Sequence, residues 1–411
     1  MKPILPIIWV FFLLLLWAAP GYSRGYQEHP EKRLIQAIEA IQAVRLDQAQ
    51  ALLKALIQDE PEFKLAHMVY ADILKARAHP LDATGMGLMQ SEHWQQFMTE
   101  ARARWQANQD EQYADKIPAV LSRLDDSYLH AIVVDLKQSR LFVFENRQQQ
   151  PRQVASYFIS MGRGGPEKEK QGDLRTPLGV YFVQSYIPPQ KLADKYGAGA
   201  YPINYPNAWD QFNGRTGHGI WLHGTRSGTY NRPPLASEGC VVLPNSDLLQ
   251  VGAYITLGQT PVLIGNDMQW LSVEAWQQQQ QQVSAIFEQW LRDWESLDTR
   301  KYLGHYSTAF SNGSKSYYEW VRHKQRVARH KSFIDVEASD VSLLMHPNED
   351  VLVATFLQYY SSDNYMSQSW KRQYWRKESD GVWRIIFEGQ IAEPAAPQLA
   401  RTSDTLLDTA N

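Results

Sequence analysis

The 411-residue chain contains a single cysteine. One thiol excludes an intrachain disulfide and any metal site built on a cysteine cluster. It leaves three roles open: an inert buried side chain, an intermolecular link, or a reactive thiol. An excess of charge of one sign is also missing. Lys plus Arg number 41 and Asp plus Glu 44, a net charge of −3. Without a basic field the chain lacks the electrostatic footprint of a general nucleic-acid binder. Beyond the N-terminal segment no run reaches the ~20 apolar residues of a membrane span. What remains is a globular balance of 44% hydrophobic and 21% charged residues, which excludes wholesale disorder. At ~150 residues per domain, the length suggests two or three domains.

The first residues read as an address. Lys2 precedes the mostly apolar stretch Ile4 to Trp17, interrupted by Pro6, and Gly21 and Ser23 supply small residues after it. This is the pattern of a secretory signal peptide over 1–23, with cleavage expected near Ser23. An uncleaved N-terminal anchor is the alternative. Export sharpens the question of the lone thiol, because exported compartments are often oxidising and expose a thiol to mispairing and over-oxidation.

Three units follow. Residues 24–120 are helical in pattern, with Leu34, Ile38 and Ile41, then Ala51, Leu52, Ala55 and Leu56, at helical spacing. Pro61 breaks the run and a further helix is expected over Phe63 to Ala76. The helix–turn–helix loosely resembles one tetratricopeptide unit. A plain helical lead-in is the simpler reading, and a single repeat cannot bury its own face. The segment is therefore expected to pack on its neighbour, a second copy or a partner. Residues 128–265 read as all-β. Ala131–Leu136 and Arg140–Phe144 form a hairpin signal, and strands are expected at Val154–Met161, Gly179–Gln184, Gly219–His223, Ala253–Leu257 and Pro261–Ile264. A run of six glutamines, Gln277 to Gln282, marks a linker over 266–282 or an exposed helix start. The unit at 283–390 opens on a helix carrying Val283, Ile286, Phe287, Trp290, Leu291 and Trp294. Strand-like runs follow at Val351–Tyr360, Ser367–Arg376 and Val382–Glu388. The tail, 391–411, has the composition of a disordered segment.

The cysteine is Cys240, in Ser237-Glu-Gly-Cys-Val-Val-Leu-Pro-Asn245. Gly239 before it permits a tight backbone and close substrate approach. His223, at the end of Gly219-Ile-Trp-Leu-His, lies upstream and is followed by Gly224. A thiol of pKa ~8.5 needs a base or cation beside it to act at neutral pH, and a histidine on an adjacent strand end supplies one. These flanks resemble the L,D-transpeptidase catalytic-domain (YkuD) family, whose pattern has a strand ending in His-Gly and then Ser/Thr-x-Gly-Cys. Thr176-Pro-Leu-Gly179, the early hairpin with Asp135 and Ser139 at its turn, and Gly258-Gln-Thr-Pro-Val262 match further elements. Two positions depart from that pattern. Glu238 stands where most members have His, and Val242 where most have Arg. With Tyr205-Pro-Asn-Ala-Trp-Asp210 and Gly217-His-Gly-Ile-Trp-Leu-His-Gly224, the chain looks like a divergent branch that includes cell-shape-determining L,D-carboxypeptidases.

The resemblance implies a multidomain α+β protein: a helical N-terminal region, an all-β YkuD-like catalytic domain, and an α+β cone-shaped SnoaL-like (nuclear-transport-factor-like) C-terminal domain. It implies Cys240 as nucleophile on peptidoglycan stem peptides, His223 as base, and the Gly224 carbonyl as orienter of the imidazole. The Gly239 and Cys240 N–H groups are expected to form the oxyanion hole, with Ser237 supporting the turn. No metal and no cofactor are expected. The activity is either L,D-transpeptidation or L,D-carboxypeptidation, and a non-catalytic envelope scaffold is the rival from another class. The expected location is the periplasm, with a homodimer or an envelope partner engaged through the flanking domains. Residues 185–218, rich in Pro, Gly and Tyr, are expected to cover the substrate. Tyr201, Tyr205 and Trp209 are its candidate contacts, or else anchors of the loop to the sheet. Arg163, Lys168, Lys170 and Arg175 form a charged loop that either meets stem carboxylates or is a solvated face.

Overall fold

The computed structural model describes residues 28–78, 92–107, 113, 115–230 and 232–393. The segment expected as a signal peptide, and the tail from 394, lie outside the described residues. Among the described residues no helix is long and apolar enough to cross a membrane.

Helices Pro30–Gln42, Leu46–Asp59, Lys64–Ala78 and Glu92–Ala107 build the N-terminal region. Pro30 at the first helical position opens the first helix, and the chain turns at 60–63 around Pro61. The second helix buries Ala49, Leu53 and Leu56. The expected face through Ala51 and Ala55 points to solvent instead, one helical position away from the buried stripe. This region docks on the next unit through buried charge. Glu31 accepts from Arg104 at 3.0 Å and from Arg140 of the β-hairpin at 2.7 Å, and Arg104 also reaches Glu100 at 2.9 Å.

The middle unit is organised by a five-stranded sheet. Its order is Gln150–Phe158, Arg140–Arg147, His130–Asp135, Pro261–Gly265 and Gly179–Phe182. Buried Asp135 pins the hairpin by accepting from the Lys137 and Gln138 N–H groups, and it also takes those of Asp267 and Met268. Side chains alternate along His130–Asp135. Ile132 and Val134 enter one core, Ala131 and Val133 another. A second, three-stranded sheet carries Val241–Val242, Trp221–His223 and Ala200–Pro202 over the first core. The unit is not all-β. Ala208–Phe212 is a helix capped by Asn207 and Asp210, and Asn245–Gly252 is a helix launched after Pro244. Ala253–Leu257 is no strand, because successive turns (Ala253 N–H to Gln250, Tyr254 N–H to Val251, Thr260 N–H to Thr256) consume its backbone groups.

The glutamine run is the exposed helix start rather than a linker. Ser272 caps a helix over Val273–Glu295 that includes it. Glutamine is a good helix former and nothing in the run breaks a helix. Gln279 also donates to the Ala119 carbonyl and to Ser122. The C-terminal unit adds helices Thr299–Gly304 and Tyr317–Ala328. Its five-stranded sheet includes two strands absent from the sequence reading, Tyr306–Ser311 and Ile334–Met345. Its Leu344, Val351, Val353, Tyr374 and Ile386 share one core with Val133, Phe142 and Leu263 of the middle unit.

Two outcomes test this packing. Trp276 is 2% exposed in the shared core and donates to the Leu121 carbonyl at 2.6 Å. Trp276→Ala is expected to cost ~3–5 kcal/mol and to lower the melting of both units together, read by calorimetry. Glu31→Gln removes the buried carboxylate that Arg104 and Arg140 share. It is expected to lower the unfolding free energy by about 3 kcal/mol in urea titration, with the catalytic geometry intact.

Candidate active site

Parallel pairing of Val241 with Leu222 and of Val242 with His223 brings the cysteine turn alongside the histidine strand. The turn is fixed from within. Ser237 Oγ donates to the Cys240 carbonyl at 2.6 Å and accepts the Gly239 N–H at 3.1 Å. Buried Thr176, from the Thr-Pro-Leu-Gly motif, donates to the Gly239 carbonyl at 3.0 Å and receives the Gly162 N–H at 2.9 Å. Gly239 sits at φ +125°, and a Cβ there would lie 2.7 Å from the Arg175 carbonyl oxygen. Only glycine fits.

The Ser237 bond corrects one expectation. The Gly239 N–H is engaged inside the turn and is not free to hold an oxyanion. The Cys240 N–H has no acceptor among the described residues and remains the turn's open donor.

His223 is buried, and its Nδ1 lies 2.7 Å from the Gly224 carbonyl oxygen. A carbonyl only accepts, so Nδ1 carries the hydrogen and Nε2 keeps its lone pair. The expected orienting contact is therefore present. Burial pushes the imidazole down to about 4, opposed by the Gly224 bond and reinforced by the positive charges of Arg232 and Lys195. The Gly224 position is itself enforced. A Cβ there would meet Asn245 Oδ1 at 2.1 Å.

The thiol is half-buried, with Sγ 3.4 Å from the Gly219 carbonyl oxygen to which it donates. Burial pushes it above the usual thiol range. The Trp221 backbone and the charges of Lys195 and Arg232 pull it back down, while Glu238 pushes it up. At neutral pH the site therefore holds a neutral thiol and a neutral imidazole.

Sequence reasoning missed two residues. Asn245 Oδ1 accepts the Ala198 N–H at 2.8 Å and the Thr225 N–H at 3.1 Å, and its Nδ2 donates to the Thr225 carbonyl at 2.9 Å. It clamps the loop that follows His223 against residues 196–198. The signal was its place at the start of a helix just after the cysteine strand. Arg232 has no such signal, because the fold alone returns it towards Cys240.

The candidate substrate contacts fare differently. Tyr205 is 6% exposed and its hydroxyl donates to the Thr216 carbonyl at 3.1 Å. Trp209 is 4% exposed, and its Nε1 donates to Glu349 of the C-terminal unit at 3.0 Å. Both anchor the 185–218 segment to the body, so neither presents a free face to substrate. Tyr201 packs on Tyr186 at 4.9 Å between ring centroids. Lys168 is buried against Asp173 at 2.6 Å. Arg175 is exposed, and its backbone, rather than its guanidinium, braces Gly239.

A separate cavity of about 620 Å³ opens in the C-terminal unit, lined by Trp294, Tyr302, Trp320, Lys324, Tyr360 and Glu388 among others. Lys324 Nζ stands over the Trp294, Trp320 and Tyr302 rings at 4.3, 4.5 and 5.2 Å. Burial pushes its ammonium down to about 8. The cavity contains neither Cys240 nor His223 and suits binding rather than acyl transfer.

Comparison with known proteins agrees with this division. Residues 129–264 match the L,D-transpeptidase catalytic domain (YkuD), and residues 282–389 match the Cds6 C-terminal NTF2-like domain. The structure of Bdellovibrio bacteriovorus Bd1075 is 30% identical, with a TM-score of 0.61 over 68% of this chain and 100% of that one. The helical cell shape determining protein Pgp2 from Campylobacter jejuni shares the fold at 22% identity and a TM-score of 0.56, over 70% of this chain and 98% of its own. YafK of Escherichia coli K12, a candidate L,D-transpeptidase, is 27% identical over 121 residues, 29% of this chain. The chain spans under half, 44%, of that curated relative's length. With a 30%-identical structural relative matched over its whole length and 68% of this chain, and both domain matches in register with the fold, the chain belongs to the L,D-transpeptidase catalytic-domain (YkuD) family and couples that domain to a Cds6-type NTF2-like domain.

Proposed function

We propose that the protein is a peptidoglycan L,D-transpeptidase acting through a cysteine acyl-enzyme in the periplasm. The observation that carries this reading is the Cys240 turn held against a His223 whose Nδ1–H is fixed on the Gly224 carbonyl. The scissile bond is the amide between the L-centre of a stem diamino acid and the terminal D-alanine. Cys240 Sγ attacks that carbonyl as His223 Nε2 takes the thiol proton. The open Cys240 N–H faces the developing oxyanion. Collapse breaks the C–N bond, Nε2 returns the proton to the leaving amine, and D-alanine departs. An amine acceptor then completes transpeptidation. Water in its place gives L,D-carboxypeptidation, the reading favoured by the added NTF2-like domain and by Val242 in place of arginine. The C-terminal cavity, aromatic and carrying Lys324, suits a second grip on the same polymer.

Purified protein incubated with tetrapeptide muropeptides is expected to release D-alanine. Mass spectrometry separates crosslinked dimers, the transferase outcome, from tripeptides, the carboxypeptidase outcome. Cys240→Ala is expected to abolish both, a loss of at least ~10³-fold. Identical products from wild type and Cys240→Ala would sink the enzyme reading and leave an envelope scaffold.

The neutral resting pair also sets the pH dependence. A lowered His223 pKa means that the base form is present above about pH 4. The acid limb of kcat/KM, which reports free-enzyme groups, is therefore expected near pH 4 rather than 6.5, with no decline between pH 5 and 7. A limb at 6.5 would mean that the imidazole is solvated.

A further inference from the structure

The loop between His223 and Cys240 is held from two sides. On one side Tyr230, 7% exposed, is buried in the core of the N-terminal helices, with its ring 4.4 Å from that of Phe63. Its N–H donates to the Glu62 carbonyl at 3.4 Å. On the other side Ser160 Oγ donates to the Pro233 carbonyl at 2.6 Å, and the Met161 N–H to that of Pro234 at 2.7 Å. Pro233 and Pro234 fix φ between these holds. Arg232 lies between the two anchors.

Its guanidinium donates to the Ala236 carbonyl, on the strand that leads into the cysteine turn. Among the described residues no carboxylate lies within ion-pairing distance of it. Its charge is felt at both Cys240 and His223, and Lys195 adds a second positive charge from the 189–199 loop. Exposed Glu238 is the nearby negative group, and it pairs loosely with Arg163 at 3.9 Å. A half-buried arginine with open donors beside a nucleophile is a site for an anion that arrives with the substrate.

The proposed reaction supplies such an anion. The leaving D-residue carries a free α-carboxylate three bonds from the attacked carbon. We infer that Arg232 binds this C-terminal carboxylate of the donor stem, and that the helical region positions it there through Tyr230. The inference rests on the peptidoglycan reading above. It assigns to a residue outside the Ser-x-Gly-Cys motif the carboxylate contact that Val242 cannot make. It also makes the N-terminal helices a working part of the substrate site.

The test compares two donor muropeptides with the full-length protein. One tetrapeptide stem ends in D-alanine and the other in D-alaninamide. Wild type is expected to favour the free acid by about tenfold or more in kcat/KM, expressed mainly in KM. Arg232→Gln is expected to process both at one reduced rate, and Arg232→Lys to keep part of the preference. Tyr230→Ala is expected to lose the preference and Tyr230→Phe, which keeps the ring on Phe63, to retain it. Circular dichroism and melting confirm that each variant is folded. A wild-type preference that survives in Arg232→Gln, or no preference in wild type, overturns the carboxylate assignment while the proposed function stands. A preference lost in Arg232→Gln but intact in Tyr230→Ala overturns the positioning by the helices. Turnover of neither substrate, or products unchanged in Cys240→Ala, overturns the proposed function and this inference with it.

Discussion

The inner strands of the central sheet have no solvent face. Strand Pro261–Gly265 is buried at every position, and His130–Asp135 at all but its first. A sheet apolar on both sides must be covered on both, since each Å² left open forfeits roughly 25 cal/mol. One cover is the layer that carries the His223 strand and the Cys240 turn. The other is the C-terminal unit, whose Leu344, Val353 and Ile386 close the opposite core. The NTF2-like unit is thus the second wall of the catalytic domain. The sheet beneath the site is thereby packed on both sides.

Around Cys240 and His223 this packing is joined by short polar links. Thr176 and Asn245 each bridge two backbone segments beside Cys240 or His223, and Ser237 ties the cysteine turn to itself. None of them is a nucleophile or base itself. Each fixes a backbone group whose displacement would misalign the thiol or the imidazole, and supporting bonds of this kind are what hold a catalytic geometry.

How much of this could be read in the sequence depended on the range of the interaction. Alternating apolar residues gave the hairpin at 131–144 because a strand's period is local. Cys240 and His223 emerged because glycine and small polar neighbours mark a tight turn and a strand end within a few positions. Long-range roles stayed hidden. Arg232 looks like any loop arginine until the fold brings it beside the thiol. Tyr205 and Trp209 looked like substrate contacts because loop aromatics have two uses, and only burial against Thr216 and Glu349 decides between them. The glutamine run was ambiguous for a different reason. Composition describes an exposed helix and a linker equally well, and the hydrogen bonds of Gln279 to the 119–122 turn resolve it.

A resting pair that is neutral has a consequence for a lone thiol. Oxidation and disulfide exchange act on the thiolate, so a thiol held protonated by burial is a slow target for both. The same burial makes proton transfer from Cys240 to His223 uphill in the empty site, because the donor's pKa is raised and the acceptor's lowered. For the proposed chemistry, a stable thiolate–imidazolium pair is therefore not the starting point. Proton transfer must accompany attack on a bound carbonyl, when the negative charge moves from sulfur to the oxyanion beside the Cys240 N–H. The Trp221 backbone, Lys195 and Arg232 all favour charge on sulfur and offset part of that climb. A substrate carboxylate neutralising Arg232 would remove some of this help from the thiolate. It would also relieve the repulsion that Arg232 exerts on a protonated His223, so the carboxylate moves the base upward as it arrives. On the proposed reading, the imidazole would therefore become a stronger base once the stem peptide is bound.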